Sequence, residues 1–278
     1  MKRPSPHKPL AKFIGTLFLV GAGKMGTAML DGWIARGLSP KRVAVNEPQP
    51  GKAIKALARR GLALNLKGKA GAAAAIVIAV KPQTAPDAVP PLKVYVGKNT
   101  LVLSIMAGRT IGFLERALPG AAIVRAMPNT PAAIGRGITV ACPNGKVSAR
   151  QRKLATDLLA AIGTVEWARD ETLMDAVTAV SGSGPAYVFL LAEAMTKAGI
   201  AAGLPADLAA KLARETVAGS GELLRRSTLD AATLRQNVTS PGGTTAAALE
   251  VLMAPGGFDE LLTKAIAAAT RRGRELAG

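Results

Sequence analysis

The chain has 278 residues, 49% of them hydrophobic and only 3% aromatic, and its 36 Lys and Arg against 18 Asp and Glu give a formal net charge of +18. That length can bury a substantial core and suits two domains, while no apolar run approaches the ~20 residues that span a bilayer. A single cysteine, Cys142, excludes an intrachain disulfide and any multi-cysteine zinc site. The single histidine, His7, argues against a Ser-His-Asp triad, imidazole acid–base chemistry or a histidine-ligated metal.

The start, Met1 to Pro9, is basic, broken by prolines and without the apolar stretch of a secretory signal, so residues 1–12 are expected to be a disordered tail and the protein cytoplasmic. Leu17-Phe18-Leu19-Val20 reads as a strand, Gly21-Ala22-Gly23-Lys24-Met25-Gly26 follows it, and Thr27 to Ile34 reads as a helix with Met29, Leu30 and Trp33 at helical spacing. Strand, glycine turn and helix come in the order a dinucleotide site needs. Gly21 allows the tight turn, Gly23 lets a pyrophosphate approach the backbone, and Gly26 lets helix pack on strand. A plain strand-to-helix turn is the alternative.

A second strand, Arg42 to Val45, runs into Asn46-Glu47-Pro48, at the distance where an adenosine ribose is read. Glu47 would bond the ribose hydroxyls and repel a 2′-phosphate, Asn46 would donate to that phosphate, and Pro48 would turn Glu47 aside. On these residues the choice between NAD and NADP stays open. Leu62 to Leu64, Leu101 to Ile105 and Ile123 to Ala126 are further strands, and Gly71 to Val80 reads as a helix end followed by a buried strand from Ala75. Ala79 to Gln83, Ser104 to Gly108 and Met127 to Pro131 then fall at carboxyl ends of strands, where a parallel sheet lines its ligand crevice. A strand at Gly137 to Cys142 with a buried inert thiol, a helix at Ala149 to Ile162 and a strand at Thr164 to Trp167 complete a domain over 13–169.

From residue 170 the pattern is helical only, over 170–278. Glu171 to Val180 is interrupted by Ser181-Gly182-Ser183-Gly184-Pro185, and helices follow at Ala186 to Ala202, Pro205 to Arg226, Asp230 to Asn237, Thr244 to Met253 and Phe258 to Arg274. Alanine-rich helices with apolar residues on more than one face, and no sheet to cover them, suggest burial against a second subunit. The loop Val238-Thr239-Ser240-Pro241-Gly242-Gly243-Thr244-Thr245 puts glycines and hydroxyls at a helix start. Its outward N–H groups suit an anion, here a small carboxylate rather than a phosphate, because a better phosphate site stands at Gly21 to Gly26. An ordinary interhelical turn is the plainer reading. The basic pairs Lys41-Arg42, Arg59-Arg60, Arg225-Arg226 and Arg271-Arg272 are scattered, mostly at helix ends, and stacking aromatics are scarce, so nucleic-acid binding is not expected. A general positive field would attract an anionic cofactor and substrate.

Gly21 to Gly26, Ala79-Val80-Lys81-Pro82-Gln83, Arg125 to Pro131, Thr178 to Tyr187 and Val238 to Thr245 occur together and in this order. Over residues 14 to about 275 the chain thereby resembles the pyrroline-5-carboxylate reductase family. The resemblance implies an α/β fold with an N-terminal Rossmann-type dinucleotide-binding domain followed by an all-helical C-terminal dimerisation domain. It implies hydride transfer from NAD(P)H to the C=N bond of 1-pyrroline-5-carboxylate, giving L-proline, the last step of proline biosynthesis, with NADP(H) expected ahead of NAD(H). Val20, Gly21, Ala22, Gly23, Lys24, Met25, Gly26, Asn46, Ala79, Val80, Lys81, Pro82, Met127, Pro128, Asn129 and Thr130 would bind the cofactor. Ser240, Gly242, Gly243, Thr244 and Thr245 would hold the substrate, and Thr245 would hydrogen-bond the ring nitrogen and assist its protonation. No metal is implied, the partner is a second copy in a homodimer or higher homo-oligomer, and no membrane is involved. Two rivals are a β-hydroxyacid dehydrogenase-like enzyme, which would need a lysine acid where only Lys197 is available, and a non-enzymatic dinucleotide- or nucleic-acid-binding protein.

Overall fold

The computed structural model describes residues 8–66 and 71–277. The chain forms two compact units, Met1–Gly182 with Thr270–Gly278, and Ser183–Ala269.

The first unit is built on strands β1 (Leu17–Val20), β2 (Val43–Asn46), β3 (Ala63–Leu64), β4 (Ala75–Ile78), β5 (Leu101–Ser104), β6 (Ala122–Met127), β7 (Gly137–Pro143) and β8 (Gly163–Trp167), in the order β3-β2-β1-β4-β5-β6-β7-β8. All neighbours are parallel except β6 and β7. The central strands β1, β4 and β5 are buried along their whole length, which is why they read as unbroken apolar runs rather than alternating ones. Their alternate side chains feed two cores: Leu17, Leu19, Val77 and Leu101 on one face, Phe18, Val20, Ile76 and Ile78 on the other. Each such side chain contributes roughly 1.5–3 kcal/mol by leaving water.

Helices α1 (Lys24–Ala35), α2 (Lys52–Arg59), α3 (Ala85–Ala88), α4 (Ile111–Ala117), α5 (Ala149–Leu159) and α6 (Met174–Val177) belong to this unit. Trp33 of α1 is fully buried, and its Nε1 donates to the Leu158 carbonyl of α5 at 2.9 Å. A capping box starts α5: the Ser148 hydroxyl accepts from the Gln151 N–H, and the Gln151 side chain accepts from the Ser148 N–H. Buried Arg125 pairs with Glu171 at 2.8 Å, and the same carboxylate oxygen accepts the Ile111 N–H at 2.7 Å, so the segment after β8 is pinned to the start of α4.

Three sequence readings need correction. Within the expected disordered tail, residues 1–7, and with them His7, lie outside the described residues, but residues 8–12 form turns and Leu10 is only 2% exposed; its N–H donates to the Arg36 carbonyl, so core packing overrides the polar flanks. Residues 71–74 are not a helix end: the Ala73 and Ala74 N–H groups bond Tyr95 and Thr16 instead of a preceding turn. The glycine–proline stretch at 181–185 does not break the chain's helical course. A π turn over Thr178–Gly182 widens it, and α7 (Gly184–Ala201) resumes with Pro185 in its first turn, where a missing N–H costs nothing. The compact units meet at Gly182–Ser183, within the all-helical sequence. Glu171 and buried Met174 belong to the first unit, and the last turns of the final helix return there, Gly273 against Asp175 and Gly108 against the Leu276 carbonyl.

The second unit contains α7, α8 (Ala206–Arg226), α9 (Ala231–Asn237), α10 (Thr244–Leu252) and the first part of α11 (Phe258–Ala277). Small residues bring α7 and α8 together: a Cβ at Gly199 would stand 3.2 Å from that of Ala209. Ala209 and Ala213 are the buried hydrophobic side chains of this unit; Phe189, Leu190, Val251 and Leu261 are all exposed.

Candidate active site

The carboxyl ends of the parallel strands are in register: Val20 faces Asn46 and Ile78, Ile78 faces Ser104, and Ser104 faces Arg125. Consecutive strands run outward from β1 on one side and from β4 on the other, so the crevice above β1 and β4 is the switch point where open α/β sheets bind ligands.

Gly21 has φ +89°, and its N–H donates to the Asn46 carbonyl at 2.8 Å; a Cβ there would lie 2.8 Å from the Ala79 carbonyl oxygen. A Cβ on Gly26 would collide with the Gly21 carbonyl, so Gly26 is what lets α1 sit on the turn. Gly23 differs: it is exposed, caps α1, and would meet nothing within 4 Å if it carried a Cβ. The N–H groups of Lys24, Met25 and Gly26 have no acceptor among the described residues, because the first intrahelical bond runs from Thr27 to Gly23. Open space over unpaired donors at a helix N-terminus fits a pyrophosphate.

Around this turn the other expected cofactor residues come together at the same edge. Val20 and Asn46 end β1 and β2; Ala79, Val80, Lys81 and Pro82 follow β4; Met127 ends β6, with Pro128, Asn129 and Thr130 next. The Ala79 N–H donates to the Val20 carbonyl at 2.8 Å, which fixes the β4 loop beside the glycine turn. Asn129 Oδ1 accepts the Ile138 N–H at 2.9 Å, holding the turn between β6 and β7, and Met127 Cε lies where a Gly182 Cβ would stand, 2.6 Å away.

Several interactions here had no sequence signal strong enough to read. Glu47 is held by the glycine turn: its Oε2 accepts the Ala22 N–H at 2.8 Å and its Oε1 the Gln49 N–H at 3.0 Å. Asn65, at φ +50° the non-glycine residue with positive φ among those described, clamps the Glu47 backbone through both side-chain atoms, at 2.8 and 3.0 Å. Asn at a left-handed position just past a strand was the available clue. Arg109 stacks 4.9 Å from the Phe113 ring centroid and donates from Nε to the Pro82 carbonyl at 2.9 Å, bracing the β4 loop from the β5 loop.

The expected substrate residues lie together on one loop of the second unit. Gly242 takes φ +68°, the Gly243 N–H closes on the Ser240 carbonyl at 3.0 Å, and Gly243 caps α10. Thr244 and Thr245 are its first two residues, and their N–H groups carry no acceptor among the described residues. Lys197, the lysine a hydroxyacid dehydrogenase would need, is exposed and paired with Glu193 at 2.6 Å. Cys142 is buried on β7 opposite Arg125, and burial, with the Glu171 charge behind it, pushes its thiol pKa up, the reverse of a reactive thiolate. Among the described residues, no three His, Cys, Asp or Glu side chains could hold a metal ion, and no helix is long and apolar enough to cross a membrane.

A doubly wound sheet with this turn at its switch point, joined to a helical unit, defines the class: a Rossmann-type dinucleotide-dependent oxidoreductase. Family comparison resolves the class further. Residues 171–276 match the family model described as pyrroline-5-carboxylate reductase dimerisation, and residues 16–108 match that of NADP oxidoreductase, coenzyme F420-dependent. The chain is 37% identical over 264 residues to the pyrroline-5-carboxylate reductase of Pisum sativum, covering 94% of this chain and 96% of that one. It is 38% identical over 262 residues to that of Pseudomonas aeruginosa, covering 93% and 95%. Among solved structures, the pyrroline-5-carboxylate reductase of Coxiella burnetii superposes with a TM-score of 0.87 at 34% identity, covering 95% of this chain and 99% of that one. The Plasmodium falciparum pyrroline carboxylate reductase with NADP bound gives 0.79 at 30% identity, covering 95% and 98%. The chain belongs to the pyrroline-5-carboxylate reductase family, whose members use NAD(P)H to reduce a C=N bond in proline biosynthesis.

Proposed function

We propose a division of labour in which the glycine turn and edge loops of the first unit hold NADPH ahead of NADH, and the Ser240–Thr245 loop of the second holds 1-pyrroline-5-carboxylate. The observation that carries this reading is a pair of donor-rich helix starts, at Gly23 and at Gly243, each capped by glycine and each with N–H groups that have no acceptor among the described residues. The first is open enough for a pyrophosphate; the second, closed by the Ser240 carbonyl, suits the smaller carboxylate of the imine substrate.

When bound, the nicotinamide supplies the hydride. The protein's part is positioning: a protonated cyclic imine is already an electrophile, so holding its carbon against the donor supplies much of the acceleration without a histidine. Thr245 orients the ring nitrogen and assists its protonation, since a neutral hydroxyl is a poor acid on its own. NADPH is favoured because both Glu47 oxygens are engaged by backbone N–H groups while exposed Asn46 keeps its side-chain amide free to donate to a 2′-phosphate. The NADP held by the P. falciparum relative supports the same choice. The protein works as a homodimer or larger homo-oligomer through the helical unit, in the cytoplasm, where a reductase needs its dinucleotide kept reduced.

Steady-state oxidation of NADPH and of NADH with 1-pyrroline-5-carboxylate, followed at the nicotinamide absorbance, tests the assignment. A higher kcat/KM with NADPH is expected; a preference for NADH would mean that Glu47 turns to the ribose. Thr245→Ala should lower kcat by about 10²-fold or more with the NADPH Kd unchanged. Equal loss of both would contradict the division between the units.

A further inference from the structure

Away from the reductase crevice, at the amino-terminal edge of the same sheet, a cavity of about 560 Å³ opens beneath the starts of β1, β4 and β5 and beside the start of α5. About 13 Å of strand separates this edge from the glycine turn, so the cavity takes no part in the site described above. Its size suits a nucleotide-sized molecule.

The walls are tied in place. The Thr100 hydroxyl donates to the Ala73 carbonyl at 2.6 Å and accepts the Gly97 N–H at 2.9 Å, while Gln151 Nε2 donates to the carbonyls of Asn99 and Thr100, each at 3.3 Å. Loop, strand start and helix start are thereby joined.

The charge around the cavity is one-sided. Lys12, Lys98, Arg150 and Lys153 line it against a single carboxylate, Asp157, which is already paired with Lys153 at 2.8 Å. Lys12, Lys98 and Arg150 have no ion-pair partner among the described residues. At the head of α5, the Ala149 and Arg150 N–H groups also lack an acceptor among the described residues, because the capping box satisfies Ser148 and Gln151 only. Between the cations the lining is apolar: Phe13 and Leu154 are half-buried, and Ile14 stands 77% exposed. Several cations around an apolar wall select for two things at once, multiple negative charge and a hydrophobic body.

We propose that this cavity is a second ligand site, for an organic polyphosphate of the nucleoside triphosphate class, its phosphates on Lys98, Arg150 and the α5 start and its base against Phe13 and Ile14. This site is independent of the reductase assignment.

The test is calorimetric titration of the full-length protein with ATP while saturating NADPH fills the crevice at the opposite edge. ATP should still bind, and Lys98→Glu/Arg150→Glu should weaken it at least tenfold, about one decade per 1.4 kcal/mol of lost interaction. Both residues are exposed, so the reductase kcat/KM measured without ATP should stay unchanged. Ile14→Ser should weaken ATP but leave inorganic triphosphate unaffected. No ATP binding under saturating NADPH would overturn the proposal, as would equal affinity in the charge-reversed variant. Inorganic triphosphate binding as tightly as ATP would reduce the site to a basic surface and overturn the ligand class.

Discussion

The two units of this chain solve burial in opposite ways. In the first, a mostly parallel sheet covered on both faces hides Leu17, Leu19, Ile76, Val77 and Trp33 completely. In the second, long helices meet through glycine and alanine and leave Phe189 68% and Val251 74% exposed. A unit whose buried hydrophobics are two alanines has too little core to offset the entropy of ordering its helices. Its stability must come from a second copy, so the comparison separates a unit that folds by its own core from one that folds by association.

The largest effect should follow from charging the exposed apolar faces. Phe189→Asp with Val251→Asp, at about 2–4 kcal/mol for each buried anchor, should weaken self-association on the order of a thousandfold or more. Sedimentation should show smaller species and imine reduction should collapse, while NADPH binding to the first unit persists. An oligomer of unchanged size would show that these faces are not its interface.

Next in size is a break within the self-sufficient unit. Glu171→Ala leaves buried Arg125 without its carboxylate and the Ile111 N–H without its acceptor. A loss of about 3–5 kcal/mol is expected, seen in denaturant midpoint at unchanged oligomer size. The contrast with the charged-face variant is the point: here stability falls with assembly intact. A midpoint shift that depended on protein concentration would erase the distinction between the units.

The glycine turn sharpens the comparison inside one motif. Gly21→Ala meets the Ala79 carbonyl at φ +89° and should cost about 1–3 kcal/mol of stability. Gly23→Ala meets open space at an ordinary φ, so stability should hold while dinucleotide affinity falls if the methyl occupies the approach proposed for the pyrophosphate. Thermal midpoints with and without NADPH separate the two. Loss of stability in both variants would mean that Gly23 is structural too.

This motif also shows how far the residues could be read in advance. The strands, the order of strand, turn and helix, and the loop edge were legible, because periodicity and glycine placement are local properties of the chain. Glu47 was not, since its orientation is set by an acceptor relation to Ala22, 25 residues away, and by the Asn65 clamp. The π turn over Thr178–Gly182 was hidden for the opposite reason: Gly182, Gly184 and Pro185 are strong local breakers, overruled by packing of Met174 and Ala179 in the core. Residues 71–74 misled in the same way, as an alanine run held extended by bonds from distant segments. The cavity below the sheet gathers residues from four separate stretches, a pattern that no window of sequence contains.

The smallest predicted effect probes the helical unit where it relies on local chemistry rather than on a partner. Asp230 caps α9, its Oδ1 accepting the Thr233 N–H at 2.8 Å, and this backbone hydrogen bond holds its pKa below the ordinary 3.8. A carboxylate with a lowered folded-state pKa stabilises the fold fully above its unfolded value and loses that contribution as pH falls through the folded one. Asp230→Ala should therefore lower the thermal midpoint slightly above about pH 4, and the gap to the native chain should close on acidification. Asp230→Asn keeps a cap without the charge, so its gap should be smaller and should shrink less as the carboxylate protonates. A gap for Asp230→Ala that stayed constant into acid would mean that the cap acts through geometry alone, and that the ends of α9 are held by the association of the whole unit.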